Sequence, residues 1–308
     1  MSKRTAQSHG RPWRSAFRLF LLQNLLRLFS WLPLRLTHTI GAGIGWLAWV
    51  SNSSMRKTAA ENIRRCLPEL SPDQQERLVK DTLKESGKTL TELGVIWLGS
   101  KEKAESLIRE VRNEEILTRA LQKGRGVILL APHTGAWELG GLYTGLHRPM
   151  TTLYRPPREP AFEALMKRVR ERFGSALVPA NRQGVKALLL ALRRSELVAI
   201  LPDQEPNVGE GAFAPFFGHP AYTLTLIHNL MQKTGAVAIL GRTERLPDNQ
   251  GFIVSYAEAP EGINAPDQAI ALAALNAGVE QMVRESPAQY QWVYRRFRRQ
   301  PAPSEITS

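Results

Sequence analysis

The stretch Gly126-Val-Ile-Leu-Leu-Ala-Pro-His133-Thr-Gly-Ala-Trp-Glu138-Leu-Gly-Gly-Leu142 decides how this chain is read. Its first half is an unbroken apolar run of strand length, and Pro132 ends it because proline cannot donate to a sheet ladder. From about Gly135 a helical pattern takes over through Trp137, Glu138, Leu139 and Leu142. A buried strand passing directly into a helix is the repeating unit of an α/β sheet. His133 falls in the turn between them. Inside one helix, residues five apart point about 140° away from each other, so His133 and Glu138 can cooperate only if the histidine lies in that turn.

Working outward, short apolar runs alternate with helical stretches. Strands are expected at 126–131, 151–154, 176–179, 197–201, 236–241 and 252–257, and helices at 136–146, 159–173, 184–194, 222–234 and 266–285. This alternation predicts an α/β fold with a mostly parallel central sheet flanked by helices. Before residue 120 the chain reads as mostly helical. Ser71-Pro72-Asp73-Gln74 is a helix start, with Ser71 as cap and Gln74 at the capping-box position, and that helix should run toward Trp97. The organisation expected is an N-terminal anchor over 1–50, one domain over 51–300 (helical to 120, α/β beyond) and a flexible tail over 301–308.

The 308 residues carry 41 Lys+Arg against 28 Asp+Glu, a net charge of +13. Such a balance calls for polyanionic partners, whether nucleic acid, an anionic membrane, a phosphorylated substrate or an acidic carrier protein. One cysteine, Cys66, excludes an intrachain disulfide and a Cys-rich metal site. Six histidines without HExxH or paired HxH spacing argue against a structural zinc site.

The basic start, Lys3, Arg4, Arg11 and Arg14, precedes an apolar stretch from Phe17 to Val50. No cleavage site follows, so the segment is expected to stay attached. On a helical wheel Gln23, Asn24, Arg27 and Ser30 share one arc and leucines with Phe29 cover most of the rest, a pattern suited to the membrane interface. The second apolar piece, Ile40 to Val50, has 11 residues, against the roughly 20 that span a bilayer. Basic residues on both flanks also disfavour one clean crossing. A monotopic or re-entrant anchor is therefore preferred to a single-pass one, the bland alternative being a buried helix pair.

Four constellations could carry chemistry. His133 with Glu138 offers a base and a carboxylate to fix its tautomer, although the spacing alone also permits a metal ligand or a plain turn histidine. Tyr154-Arg155-Pro156 ends the next strand, and sites in open α/β sheets form at carboxyl ends of strands. Arg155 there could clamp a phosphate or an oxyanion. Asp203, Gln204 and Glu205 end a later strand, where they could position a substrate, His133 or a metal. Phe213, Phe216 and Phe217 follow, to line an acyl groove or plug the core. The last is the run from Gln289 to Arg299, in which Arg295, Arg296, Arg298 and Arg299 could contact phosphates and the aromatics could anchor at an interface. No RNP, helix-turn-helix or OB signature supports nucleic acid as its partner.

Together these blocks resemble the bacterial lipid A biosynthesis acyltransferases, the lauroyl and myristoyl transferases of the lysophospholipid acyltransferase superfamily. The resemblance rests on Arg56-Lys-Thr-Ala-Ala-Glu-Asn62 with Cys66-Leu-Pro68, the A-P-H-x4-E block, Tyr154-Arg-Pro156, Leu201-Pro-Asp-Gln204, Pro215-Phe-Phe-Gly218 and Gln289-Tyr-x-Trp292-x-x-Arg-Arg-Phe297, in order from about residue 12 to 300. It implies an enzyme on the cytoplasmic face of the bacterial inner membrane that moves a fatty acyl chain from acyl carrier protein to a hydroxyl of a phosphorylated, acylated glucosamine disaccharide. It further implies that His133 is the general base and Glu138 its charge partner, with Arg155 and Asp203 as further family positions in the cleft; with the strand-end and basic residues read above, the expected substrate-binding set is Tyr154, Arg155, Asp203, Gln204, Arg295 and Arg296. No cofactor or metal is implied. Where the family often has Pro-Glu-Gln-Tyr and a histidine before Arg-Arg-Phe, this chain has Ala288 and Tyr294, which leaves the dyad intact and bears on the acceptor. Rival readings are acylation of another lipid (an aminolipid, glycolipid or lysophospholipid), a non-catalytic binder of anionic membranes, and a hydrolase holding a metal on His133, Glu138 and Asp203.

Overall fold

A computed structural model describes residues 12–157 and 159–301. The basic start at Lys3, Arg4 and Arg11 and the tail beyond 301 lie outside them. Five helices come first: α1 (Pro12–Trp31), α2 (Leu34–Val50), α3 (Ser54–Cys66), α4 (Pro72–Leu98) and α5 (Lys101–Ser106). The start of α4 is fixed as its sequence predicts, Ser71 capping the Gln74 N–H and the Gln74 side chain returning to the Ser71 N–H.

Next come β1 (Ile108–Arg112), α6 (Glu114–Gln122), β2 (Val127–Leu130), α7 (Trp137–His147), β3 (Met150–Tyr154), α8 (Pro160–Arg172), β4 (Ser175–Pro179), α9 (Arg182–Arg193) and β5 (Leu197–Ile200). The hairpin β6 (Gly211–Phe216) and β7 (His219–Leu224) stands apart as a two-stranded sheet. Then follow α10 (Leu226–Thr234), β8 (Val237–Arg245), β9 (Phe252–Glu258) and α11 (Gln268–Glu285). The seven-stranded sheet has the order β1-β9-β8-β2-β5-β3-β4. Every neighbouring pair is parallel except β8 with β9. The predicted α/β architecture is the observed one.

Two expectations need correction. Ile108–Arg112, inside the stretch read as mostly helical, is an edge strand paired with β9; with only Ile108 and Val111 half-buried it lacks the two-residue alternation that marks a strand in sequence. Residues 222–224, read as the start of a helix, belong to β7, and the helix begins at Leu226. Two prolines at facing positions, Pro215 and Pro220, are tolerated because this hairpin is outside the main ladder.

β2 is buried along its whole length and lies at the centre of the sheet. Ile128 and Leu130 pack with α9, α10 and α11 on one face. Val127 and Leu129 lie on the other, with Ala199, Ile239 and Tyr256. The N-terminal helices join the body through close backbone contact. A methyl on Gly87 would lie 2.0 Å from the Gly41 carbonyl oxygen, and one on Gly45 would lie 2.1 Å from that of Leu83. Helices α2 and α4 thus meet backbone to backbone.

A buried ionic cluster secures the same junction. Arg245 of β8 pairs with Glu85 and Glu92 of α4, and Glu92 Oε2 is 3.0 Å from His38 Nε2 of α2. Burial works to raise the Glu92 carboxyl, but Arg245 and His38 outweigh it and hold it below the usual carboxylate value.

Candidate active site

The site is built at the carboxyl ends of three adjacent parallel strands, β2, β5 and β3, where an open α/β sheet presents its ligands. After β2 the chain turns sharply through Pro132, His133, Thr134 and Gly135. Gly135 has φ of +56°, and a Cβ there would lie 1.9 Å from the Thr243 carbonyl oxygen; glycine is required. The C-terminal segment clamps this turn. Gly135 N–H donates to the Gln289 carbonyl at 2.9 Å, and Gln291 N–H to the His133 carbonyl at 3.1 Å.

The turn aims the His133 ring at Asp203, which follows β5. The Asp203 carboxylate accepts the His133 backbone N–H at 2.9 Å on one oxygen and lies 2.8 Å from Nδ1 on the other. It is 3 % exposed. Burial works to raise the Asp203 carboxyl; the adjoining His133 ring and the two hydrogen bonds it and its backbone N–H make outweigh this and keep it below the usual aspartate value. An ionised carboxylate only accepts, so Nδ1 carries a proton, and in the neutral ring Nε2 then keeps its lone pair. That lone pair accepts from the Gln204 amide at 3.2 Å, and the same amide donates to Gln291 Oε1 at 3.0 Å.

The sequence pairs Glu138 with His133, but in the structure the Glu138 carboxylate is bonded to other groups. From the first turn of α7 its carboxylate takes Arg170 of α8 as ion-pair partner and the Trp97 indole N–H at 3.3 Å. The helix rotates Glu138 away from the turn, and Asp203, seventy residues on, fills the place assigned to it. Both His133 and Glu138 line one cavity.

That cavity has a volume of about 450 Å³. Its mouth holds His133, Gln204 and Arg155, the last bonded to Asn207 Oδ1 at 2.5 Å. Its depth lies between the sheet and α7, against Leu129, Ala199 and Gly241, and reaches Thr144, Met150 and Ser175. Met150 and Ser175 begin β3 and β4, so the cavity extends over the length of a five-residue strand, about 13 Å. Tyr154 lines its wall, its hydroxyl bonded to Glu163 at 2.5 Å. The lining is mixed, with Leu129, Ala199 and Met150 beside Thr144, Ser175 and the Glu138–Arg170 pair, and a shaft of this length has room for a chain-shaped ligand with a reactive head at His133.

Other expected site residues go elsewhere. Arg296 is buried at 2 % exposure, donates to the Tyr222 carbonyl and the Thr223 hydroxyl, and packs over Phe216; it staples the hairpin rather than lining the cavity. Arg295 is exposed and outside the cavity lining. Phe216 and Phe217 pack with Tyr290, Trp292 and Phe297 in a core cluster, not along a groove. Phe213 stacks edge-on against Tyr222. Sequence reasoning missed Arg170, Trp97, Gln291 and the shaft residues. Only the arginine's place on the inner face of a predicted helix hinted at the first. Among the described residues no cluster of His, Cys, Asp and Glu could hold a metal ion.

A profile of the bacterial lipid A biosynthesis acyltransferases matches residues 7–299. The chain is 28 % identical to a lipid A biosynthesis palmitoleoyltransferase of Escherichia coli (strain K12) over 294 residues, 95 % of this chain and 94 % of the relative. It is 28 % identical to the lauroyltransferase of the same strain over 299 residues, covering 96 % and 95 %. With the myristoyltransferase of that strain it shares 26 % over 281 residues, covering 89 % and 84 %. A match running through nearly the whole chain, sheet, site and clamp together, makes this protein an acyltransferase belonging to the bacterial lipid A biosynthesis acyltransferase family.

Proposed function

We propose that the protein transfers a fatty acyl chain from an acyl carrier protein thioester to a hydroxyl of a phosphorylated, acylated glucosamine disaccharide, the secondary acylation of a lipid A precursor. The observation that carries this reading is His133: its Nε2 lone pair meets the cavity mouth while Asp203 holds Nδ1. The acceptor hydroxyl displaces the Gln204 amide from Nε2 and gives up its proton there. Its oxygen bonds to the thioester carbonyl carbon, the C–S bond breaks, and the leaving thiolate takes the proton from His133. A thioester is already activated, so deprotonation, orientation and oxyanion stabilisation suffice. The acyl chain occupies the shaft.

In this reading Asp203 orients the base and stabilises the imidazolium. The Glu138–Arg170 pair shapes the opposite wall, and Arg155 at the mouth meets an anionic group of donor or acceptor. The relatives' names, which specify lauroyl, myristoyl and palmitoleoyl transfer, support the reaction class. An interfacial seat on the inner membrane is supported by the outward residues of α1 and α2: Leu21, Leu25, Leu28, Trp31, Trp46 and Leu47 are exposed. Among the described residues no helix is long and apolar enough to cross a membrane.

The test is transfer of a radiolabelled acyl group from its carrier protein to a phosphorylated tetraacyl disaccharide in neutral detergent. Transfer by the wild type, with His133→Ala at least 10³-fold slower yet still bound to membranes, is expected. Absence of transfer by the wild type, with an unchanged lipid A mass profile in a deletion strain, would reject the proposal.

A further inference from the structure

A second cavity of about 250 Å³ lies on the other side of α8 from the shaft, where α8, α1 and the end of α4 converge. Arg27, Arg168 and Arg172 line it together with Gln23, and no acidic residue does. The ion pairs of α8 are Lys167 with Glu163 and Arg170 with Glu138. Among the described residues Arg168 and Arg172 have no such partner, although they stand four apart, where like charges repel. Arg172 is held in place by the Trp97 and Gly99 carbonyls, at 3.1 and 2.9 Å. Three guanidinium groups around one hollow are an anion site awaiting its charge.

The remaining wall specifies what kind of anion. Trp97, Leu98, Leu165 and Val169 are apolar there, and the Trp97 indole N–H is already committed to Glu138. A small soluble anion gains nothing from such a wall; an amphiphile does. On α1, Gln23 and Arg27 stand at the edge of the face that packs inward through Leu22, Leu26 and Phe29. Phe20 stands next to Arg27 around the helix surface, and the exposed Leu28, Leu21 and Leu25 continue the outer face from there. A lipid lying along this apolar face brings its headgroup to Arg27.

We infer that the hollow ringed by Arg27, Arg168 and Arg172 binds the phosphate of an anionic lipid headgroup, with the lipid's chains against the outer face of α1. The site is separate from the acyl shaft and does not depend on the acyl-transfer reaction.

The experiment uses the full chain in neutral-detergent micelles and measures binding of dihexanoyl phosphatidic acid, its uncharged counterpart dihexanoylglycerol, and inorganic phosphate by calorimetry. Phosphatidic acid should bind at least tenfold more tightly than the diacylglycerol. The double variant Arg27→Gln/Arg168→Gln should abolish that difference, both side chains being exposed and outside the core. The control Arg125→Gln/Arg193→Gln removes two exposed charges elsewhere and should preserve it. Equal affinity for the two lipids, or an equal loss in both double variants, overturns the site. Inorganic phosphate as tight a ligand as phosphatidic acid overturns its assignment to a lipid. None of these readings requires turnover, so they stand whether or not the acyl-transfer proposal does.

Discussion

At the scale of single residues, the proposed chemistry turns on which carboxylate holds the histidine. Asp203 meets both the ring and the backbone of His133, whereas Glu138 is tied to Arg170 and Trp97. Asp203→Asn keeps the shape but offers an amide where a carboxylate must accept. The ring then favours the wrong tautomer, and kcat should fall by about 10³–10⁴-fold, as loss of an orienting carboxylate does in a histidine-based catalytic triad. Glu138→Gln should cost less, about 10–10²-fold in kcat/KM, by loosening Arg170, and should leave the shape of the pH–rate profile unchanged. Rate measurements from pH 5 to 9 on the two variants decide this. A larger kcat loss in Glu138→Gln than in Asp203→Asn would return the orienting role to Glu138. Because its pKa is held below the ordinary aspartate value of 3.8, Asp203 stays ionised across that range.

At the scale of elements, the shaft is defined by the face that β2, β5 and α7 leave between them. Ala199 of β5 lines it beside its register partner Leu129, and its small side chain leaves space that a larger one would fill. Ala199→Phe fills existing space, so the fold should persist while the shaft is shortened. The expected outcome is a donor preference shifted to acyl chains several methylenes shorter, with KM for the longest accepted donor raised about tenfold or more, about the worth of two buried methylenes. Competition between acyl carrier proteins charged with different chain lengths reads this directly; an unaltered preference would place the acyl chain elsewhere. The hairpin of β6 and β7 contributes differently. Its Phe216 and the buried Arg296 lock the C-terminal segment, and that segment in turn clamps the His133 turn through Gln289 and Gln291.

At the scale of the whole molecule, Arg245 with Glu85, Glu92 and His38 joins the catalytic sheet to the N-terminal helices. Arg245→Ala leaves buried carboxylates uncompensated and should lower stability by about 3–5 kcal/mol, measurable by urea unfolding in detergent. The pH dependence has a definite sign. Glu92 has its pKa lowered in the folded state from an ordinary value of 4.5, so its contribution is complete above that value and is lost as pH falls through the folded one. The stability advantage of the wild type over Glu92→Gln should therefore hold at neutral pH and shrink progressively below about 4.5; an advantage that grows on acidification would contradict the pairing. The net charge of +13 belongs to this scale too, since a charge of that sign sets up a long-range field that would favour anionic surfaces.

The sequence by itself determined the alternation of strands and helices, a buried strand at 126–131, the capped start of α4 and the placing of His133 in a turn, because each depends on local pattern, proline chemistry or capping. It also brought His133, Arg155, Asp203 and Gln204 to strand ends, since such ends share one side of a parallel sheet. Only the tertiary structure decided that β5 lies between β2 and β3, and this adjacency is what sets Asp203 rather than Glu138 against His133. The same applies to Arg296, whose basic, aromatic neighbourhood looks like a surface patch until the chain folds it over Phe216. Spacing along the chain reports what a short segment can do with itself. Partners seventy residues apart are chosen by strand order and by the desolvation that makes a buried charge seek the one group able to satisfy it.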